Sequence, residues 1–328
     1  EVSPLRQLST LNSMGKGTNN PTDIKSEMKF RRQMRKPSRK KHFGEHLSLR
    51  LYYVNPESIN RKAYYRSIHC SELLIPTVDG NLTTQRCRCR WCPICASIQT
   101  AKLIAGYGPQ LNELDDLWFV TLTRPTVPAD KLAEQIDIFQ KKWQAITKDR
   151  HWKDNKPIGL RKMECTMRPR GLYHYHFHVI IQGRENAQWV YKKWLELNPE
   201  SSCRAQDCRP IIKGQYIELF KYFTKLVVKT KSGKRLPIDF ARLDFILTTI
   251  KRKRVYQPFG GLKKVSEDIT DDERIMGNEV PDELCRLWSW MTNVGYVDFR
   301  DGEILTGDWK LPEWVDELTR KTSGEDIE

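Results

Sequence analysis

The sequence predicts an α+β protein whose centre is an antiparallel sheet of the ferredoxin-like or RRM-like kind with helices on one face, preceded by a helical, cysteine-bearing module. Three observations carry this. Between residues 113 and 261, segments of strand-like alternation and segments of helical spacing follow one another in the order β-α-β-β-α-β-α. The stretch "GLYHYHFHVII", residues 171–181, alternates apolar side chains with three of the chain's seven histidines. Four of the nine cysteines fall within residues 87–95.

Taken in order, residues 1–45 are polar and basic, include the run "FRRQMRKPSRKKHF", and offer too few apolar groups to offset their ordering entropy, so a disordered basic arm is expected. Residues 46–112 read as the cysteine-rich module. "DLWFVTLTRP" is a strand ended by proline, and in "PADKLAEQIDIFQKKWQAITKD" Leu132, Ile136, Phe139, Trp143 and Ile146 recur at helical spacing. Two strands, "IGLRKMECTM" and "YHYHFHVIIQ", are joined by "RPRG". A helix at 186–197, a short strand near "CRPII", a helix over "QYIELFKYFTKLVVKT" and another over 236–254, ending in "KRKR", complete the unit. Residues 262–328, with "CRLWSWMTNVGYVDF" and "LPEWVDELTRK", read as a C-terminal helical region of unassigned role, suited to ligand or dimer contacts.

Lysine plus arginine exceed aspartate plus glutamate by 56 to 41, a net charge of +15, with twelve basic and four acidic residues in the first fifty. A polyanion is the expected partner. No stretch reaches the roughly 18 apolar residues of a membrane span and no secretory signal opens the chain, so a cytoplasmic protein is expected. In that compartment clustered cysteines point to metal rather than to disulfides.

In a strand, successive side chains face opposite ways, so Tyr173, Tyr175, Phe177, Val179 and Ile181 share one face and His174, His176 and His178 the other. Three buried imidazoles would be costly without partners, and a shared ligand explains them. If Pro169-Arg170-Gly171 closes a three-residue hairpin loop, Glu164 comes opposite His176. Histidines plus one carboxylate, with positions left open, suit a catalytic divalent ion. On the following helix Glu218, Tyr222 and Lys225 stack on one face. A phenol becomes an adequate nucleophile beside a metal-bound phosphate and a lysine, and a carboxylate one turn away can activate water.

These motifs together resemble the HUH endonucleases, and within them the rolling-circle plasmid replication initiators, over roughly residues 70–260. "FVTLTR" is similar to the family's first motif. "HYHFHVII" is similar to its second, in which two histidines flanking a hydrophobic residue, here His176 and His178, bind the metal. "ELFKYFTK" is similar to its third, which implies Tyr222 as nucleophile and Glu218 as water-activating carboxylate. "CRCRWCPIC" is similar to the cysteine-rich segment ahead of the first motif. The resemblance implies the HUH endonuclease fold. It also implies nicking of single-stranded or hairpin origin DNA through a 5′-phosphotyrosyl intermediate, leaving a 3′-hydroxyl primer. Mg²⁺ or Mn²⁺ would sit on His176, His178 and Glu164; His174 is a further ligand, or orients a neighbour, or contacts DNA.

Cys92 and Cys95 form a C-x-x-C knuckle that Cys70, Cys87 or Cys89 can complete as a tetrahedral Zn²⁺ site, with His69 as a substitute. Because the resemblance aligns Cys87 with the family's first clustered cysteine, the expected set is Cys70, Cys87, Cys92 and Cys95. Arg86, Arg88 and Arg90, with Lys251, Arg252, Lys253 and Arg254, are expected to bind DNA phosphates. Tyr216, nearly opposite Tyr222 on a helix, is a poor second nucleophile. No Walker motif appears, so a host helicase and polymerase are expected partners, and a homodimer is compatible. Competing readings are a relaxase or single-strand transposase with the same chemistry, and a non-catalytic zinc-dependent DNA-binding regulator.

Overall fold

A 34-residue helix, α1 (Pro21–Val54), stands where composition predicts a disordered arm. The computed structural model describes residues 21–220, 228–229, 235–236, 239–266, 268–269 and 280–306; residues 1–20 of the expected arm lie outside them. The expectation fails over 21–45 because the helix finds apolar partners far along the chain. Phe30 and Met34 join a core with Leu74, Trp288, Trp290 and Tyr296, while Leu47 and Leu51 pack with Tyr64, Leu243 and Leu247. Polar anchors add to this: Lys41 Nζ donates to the Ile68 carbonyl (2.7 Å), and Glu45 accepts from Trp290 Nε1 (2.8 Å). No window of local sequence shows such contacts, yet they supply the burial that offsets the ordering entropy.

The cysteine-rich module comprises α2 (Arg61–Ile68), β1 (Leu73–Pro76), β2 (Leu82–Thr83) and α3 (Pro93–Asn112), so it contains strands as well as the expected helices. Next come β3 (Leu117–Thr123), α4 (Ala129–Lys148), the short α5 (Arg150–Asn155), β4 (Gly159–Met167), β5 (Tyr173–Gln182), α6 (Arg184–Leu197) and β6 (Asp207–Pro210). A 3₁₀ turn, Gln215–Phe220, follows, then β7 (Val228–Lys229), β8 (Arg235–Leu236), α7 (Phe240–Thr249) and β9 (Tyr256–Phe259).

The main sheet has the strand order β6-β3-β5-β4-β9 with every neighbouring pair antiparallel. Its first four strands are two interleaved β-α-β units joined by the β4–β5 hairpin. The hairpin closes as its loop residues predict: Arg170 and Gly171 are left-handed (φ 59° and 73°) and Arg168 N donates to Leu172 O (2.8 Å). That register sets Glu164 opposite His176 and Thr166 opposite His174. The apolar face of β5 carries the core: Phe139 on α4 lies 5.1 Å from the ring of Phe177, and Trp194 on α6 lies 6.2 Å from it.

Three expectations are corrected. The helix expected over 215–230 is a 3₁₀ turn to Phe220, and Val228 and Lys229 pair as a strand with Leu236 and Arg235. The helix expected over 236–254 is shorter, because the Asp239 carboxylate accepts from Arg242 N (3.0 Å) as its N-cap and Ile250 ends it. The described part of the C-terminal region is a 3₁₀ turn, Asp282–Leu284, and a hairpin rather than the expected helical region. Its strands β10 (Trp288–Met291) and β11 (Gly295–Asp298) extend the module's own strands into the order β11-β10-β1-β2. Trp288 and Trp290 alternate with Ser289 and Met291, and Asn293 takes a left-handed φ of 66° in the turn, a period-2 signal legible in "WSWMTNVG".

Candidate active site and metal centres

Strand alternation and pairing alone gather the first cluster. Thr121, Lys162 and His178 lie side by side across β3, β4 and β5, and Thr123, Glu164 and His176 form the next row on the same face. Glu164, His176 and His178 bring one donor atom each to within 4.8 Å of one another. His176 Nε2 is 3.9 Å from Glu164 Oε1, and His178 Nε2 is 3.6 Å from Glu164 Oε2.

The other ring nitrogens are already engaged. His176 Nδ1 donates to the His174 carbonyl (3.4 Å), and His178 Nδ1 pairs with Thr121 Oγ1 (3.2 Å). Both Nε2 atoms therefore turn toward the carboxylate, the outer-shell arrangement that orients metal-binding imidazoles.

Electrostatics prepare the same group. Burial pushes His176 down to about 3 and the neighbouring His178 adds to this, so its ring is neutral near pH 7. Burial would raise the Glu164 carboxyl, but the hydrogen bond with His178 and the charge of Lys162 outweigh it and hold it at about 2. Lys162 Nζ lies 3.3 Å from Glu164 Oε2, and the side chain is only 2% exposed. The neutral His176 imidazole and the ionised Glu164 carboxylate are in the protonation states a divalent cation needs, and bonds of about 2.1 Å can reach all three donors after small rotations.

His174 is not in this group. It stacks beside His176 with ring centroids 4.9 Å apart, but its Nδ1 meets the Arg168 guanidinium at 3.2 Å. Burial, then the charge of Arg168, pushes it down to about 4. The bond that His176 Nδ1 makes is to the His174 backbone carbonyl, whereas the His174 side chain accepts from Arg168.

The second cluster is buried and all sulfur. Cys70 follows α2, Cys87 lies in the loop after β2, Cys92 is the N-cap of α3 with Pro93 in the first helical position, and Cys95 sits in the first turn. Their four Sγ atoms lie within 4.8 Å of one another, with Cys95 3.6 Å from both Cys70 and Cys87. A tetrahedral zinc with Zn–S bonds of about 2.3 Å requires S···S distances of about 3.8 Å, so the set can hold zinc. Crowding splits the thiols: hydrogen bonds from Cys70 and its neighbours hold Cys87 down, while those with Cys70 and Cys87, then burial, push Cys92 up. Cys89 stays outside, its Sγ directed to the Ala63 and Cys87 carbonyls (3.6 and 3.4 Å). His69 pairs with Glu72 (2.8 Å).

Glu218 is exposed on the 3₁₀ turn, whereas Tyr222 and Lys225 lie outside the described residues. Phe220 stacks on Tyr256 (centroids 5.6 Å apart), and Tyr256 is the register partner of Lys162, so the turn ends on the histidine-bearing side of the sheet. Tyr216 is buried and its hydroxyl donates to Asn112 Oδ1 (2.8 Å), which disfavours it as a nucleophile. Arg86, Arg88, Arg90, Lys251 and Arg252 line a single cleft, joined by Arg66; Lys253 and Arg254 adjoin it. Sequence reasoning missed Lys162 and Arg66. Lys162 was available from the period-2 pattern that located Glu164; Arg66 had no comparable signal.

Among the described residues, no helix is long and apolar enough to cross a membrane. No solved structure matches the chain. A replication protein of Staphylococcus aureus, "Protein rep", is 28% identical over 130 residues, 34% of this chain and 54% of that protein. The matched stretch thus spans about half the length of this curated relative. The replication protein family matches residues 81–284, a span that holds the Glu164, His176, His178 cluster, Glu218, Tyr222 and three of the four clustered cysteines. With that match covering more than half of its length, the chain belongs to the replication protein family.

Proposed function

We propose that this protein initiates rolling-circle plasmid replication by nicking single-stranded origin DNA, on a sheet with the HUH endonuclease arrangement. The observation that carries the reading is the buried group of Glu164, His176 and His178, with both Nε2 atoms turned to one carboxylate. Those three residues would hold Mg²⁺ or Mn²⁺, which when bound supplies Lewis-acid neutralisation of the scissile phosphate. Family membership favours DNA as the substrate.

In this reading the Tyr222 phenolate oxygen attacks phosphorus and the bond to the 3′-oxygen breaks. A 5′-phosphotyrosyl link and a free 3′-hydroxyl result, and a host polymerase extends the latter after a helicase opens the duplex. Lys225 favours loss of the phenolic proton, and Glu218 takes a proton from water in the later hydrolysis of the link. Lys162 keeps Glu164 ionised, and the thiolates of Cys70, Cys87, Cys92 and Cys95 would hold a structural zinc beside the sheet.

The test is incubation with single-stranded origin oligonucleotides and Mn²⁺. A denaturant-resistant protein–DNA adduct is expected from the wild type and none from Tyr222→Phe; Glu218→Ala should accumulate adduct. A wild type that binds DNA without forming adduct would instead be a zinc-dependent DNA-binding regulator.

A further inference from the structure

Two basic clusters about 160 residues apart in sequence meet in one cleft of about 450 Å³. Arg86, Arg88 and Arg90 come from the zinc knuckle, Lys251 and Arg252 from the turn after α7, and Arg66 from α2. The two sides are tied together: Arg90 donates to the Lys253 carbonyl (3.1 Å), and Lys251 Nζ to the Ile59 carbonyl (3.2 Å) on the α2 side. Among the described residues, no acidic side chain lines the cleft.

Arg88 and Arg252 both adopt left-handed backbone, with φ of 59° and 64°. Arginine pays for that conformation where glycine would not, and two such positions facing one cleft indicate that the side chains are worth more there than backbone ease. The basic turn also leads directly to the sheet: Val255, which follows Arg254, accepts a hydrogen bond from Met163 N (2.9 Å), so the chain leaving the turn lies about one strand spacing, ~5 Å, from the β4 residue next to Glu164.

We propose that this cleft seats the sugar-phosphate backbone of the single DNA strand as it approaches the Glu164, His176, His178 cluster, binding phosphates without reading bases. The proposal rests on the DNA-nicking reading for its substrate class. Guanidinium and ammonium groups of one sign match a run of phosphodiesters, and the nicking reading supplies a single strand as the one that carries them. Bases remain free for recognition elsewhere.

The test is binding of fluorescent single-stranded oligonucleotides to the full zinc-loaded protein, without Mg²⁺ or Mn²⁺, across a salt series. The double variant Arg88→Gly, Arg252→Gly removes two guanidinium groups while fitting the left-handed backbone, so its thermal midpoint should be unchanged or higher. The slope of log K against log salt should shrink by about 1.4, and affinity at 0.1 M salt should fall about 25-fold, equally for origin and unrelated sequences. Arg66→Ala, on an exposed helix position, should shrink the slope by about 0.7. An unchanged slope in both variants overturns the cleft proposal, as does a loss confined to origin sequence. Failure of the nicking reading looks different: no Tyr222-dependent adduct forms in the wild type, whatever the salt slope.

Discussion

Replacing Glu164 by Gln keeps the size of the side chain and removes the negative charge from the centre of the histidine face. The carboxylate lies 3.3 Å from Lys162 Nζ and 3.6 and 3.9 Å from the His178 and His176 Nε2 atoms. Those partners hold the carboxyl at about 2 against an ordinary 4.5. At about 1.36 kcal/mol per tenfold change in proton affinity, that difference corresponds to roughly 3 kcal/mol of folding stability. Opening a buried ion pair from one side costs a similar ~3–5 kcal/mol. The folded value is depressed, so the contribution is present in full above the unfolded value of 4.5 and is lost as pH falls through about 2. Acid also releases zinc from thiolates, and imidazoles of the unfolded chain titrate near pH ~6.5, so the comparison belongs at about pH 8. The assay is urea unfolding of zinc-loaded wild type and Glu164→Gln without added Mg²⁺ or Mn²⁺. Equal stability of the two proteins there would refute the claim that Lys162 and the imidazoles stabilise an ionised carboxylate.

The same cluster predicts a graded response to histidine loss. His176→Ala and His178→Ala should abolish Mn²⁺ binding measured by calorimetry, while His174→Ala, which leaves the carbonyl that orients His176, should weaken it by no more than about 10–100-fold. For the cysteines, metal analysis should find one zinc per chain retained in Cys89→Ala and lost in Cys95→Ser, because the Cys95 sulfur lies among those of Cys70, Cys87 and Cys92, whereas that of Cys89 turns to backbone carbonyls. Gly159→Ala should lower the urea midpoint by the equivalent of ~1–3 kcal/mol or more, since its new Cβ would stand 2.1 Å from the Ile180 carbonyl oxygen in the middle of the sheet. An unshifted midpoint there would mean that β4 and β5 are not paired in this register.

What the amino-acid order determined by itself is the part of the molecule governed by short-range periodicity. Alternation in "MECTM" and "YHYHFHVII", together with the loop "RPRG", was enough to set the hairpin register, to place Glu164 opposite His176 and to share three histidines on one face. Helical spacing likewise located α4, and the cysteine spacing located the knuckle. Tertiary structure decided the rest, because it turns on partners that no local window contains. Residues 21–54 find the burial that keeps them helical on partners far along the chain, among them the tryptophans of a hairpin more than two hundred residues away, and that hairpin is a strand pair because β1 offers it an edge. His174 stands apart from its two neighbours because the end of β5 sets it beside Arg168, and Cys89 is excluded because its loop directs it to backbone carbonyls. The arginines of the knuckle and the basic turn after α7 share one cleft through packing alone. Local steric rules act over a few residues and are written in the sequence, whereas long-range burial and pairing are settled only when the whole chain competes for the same surfaces.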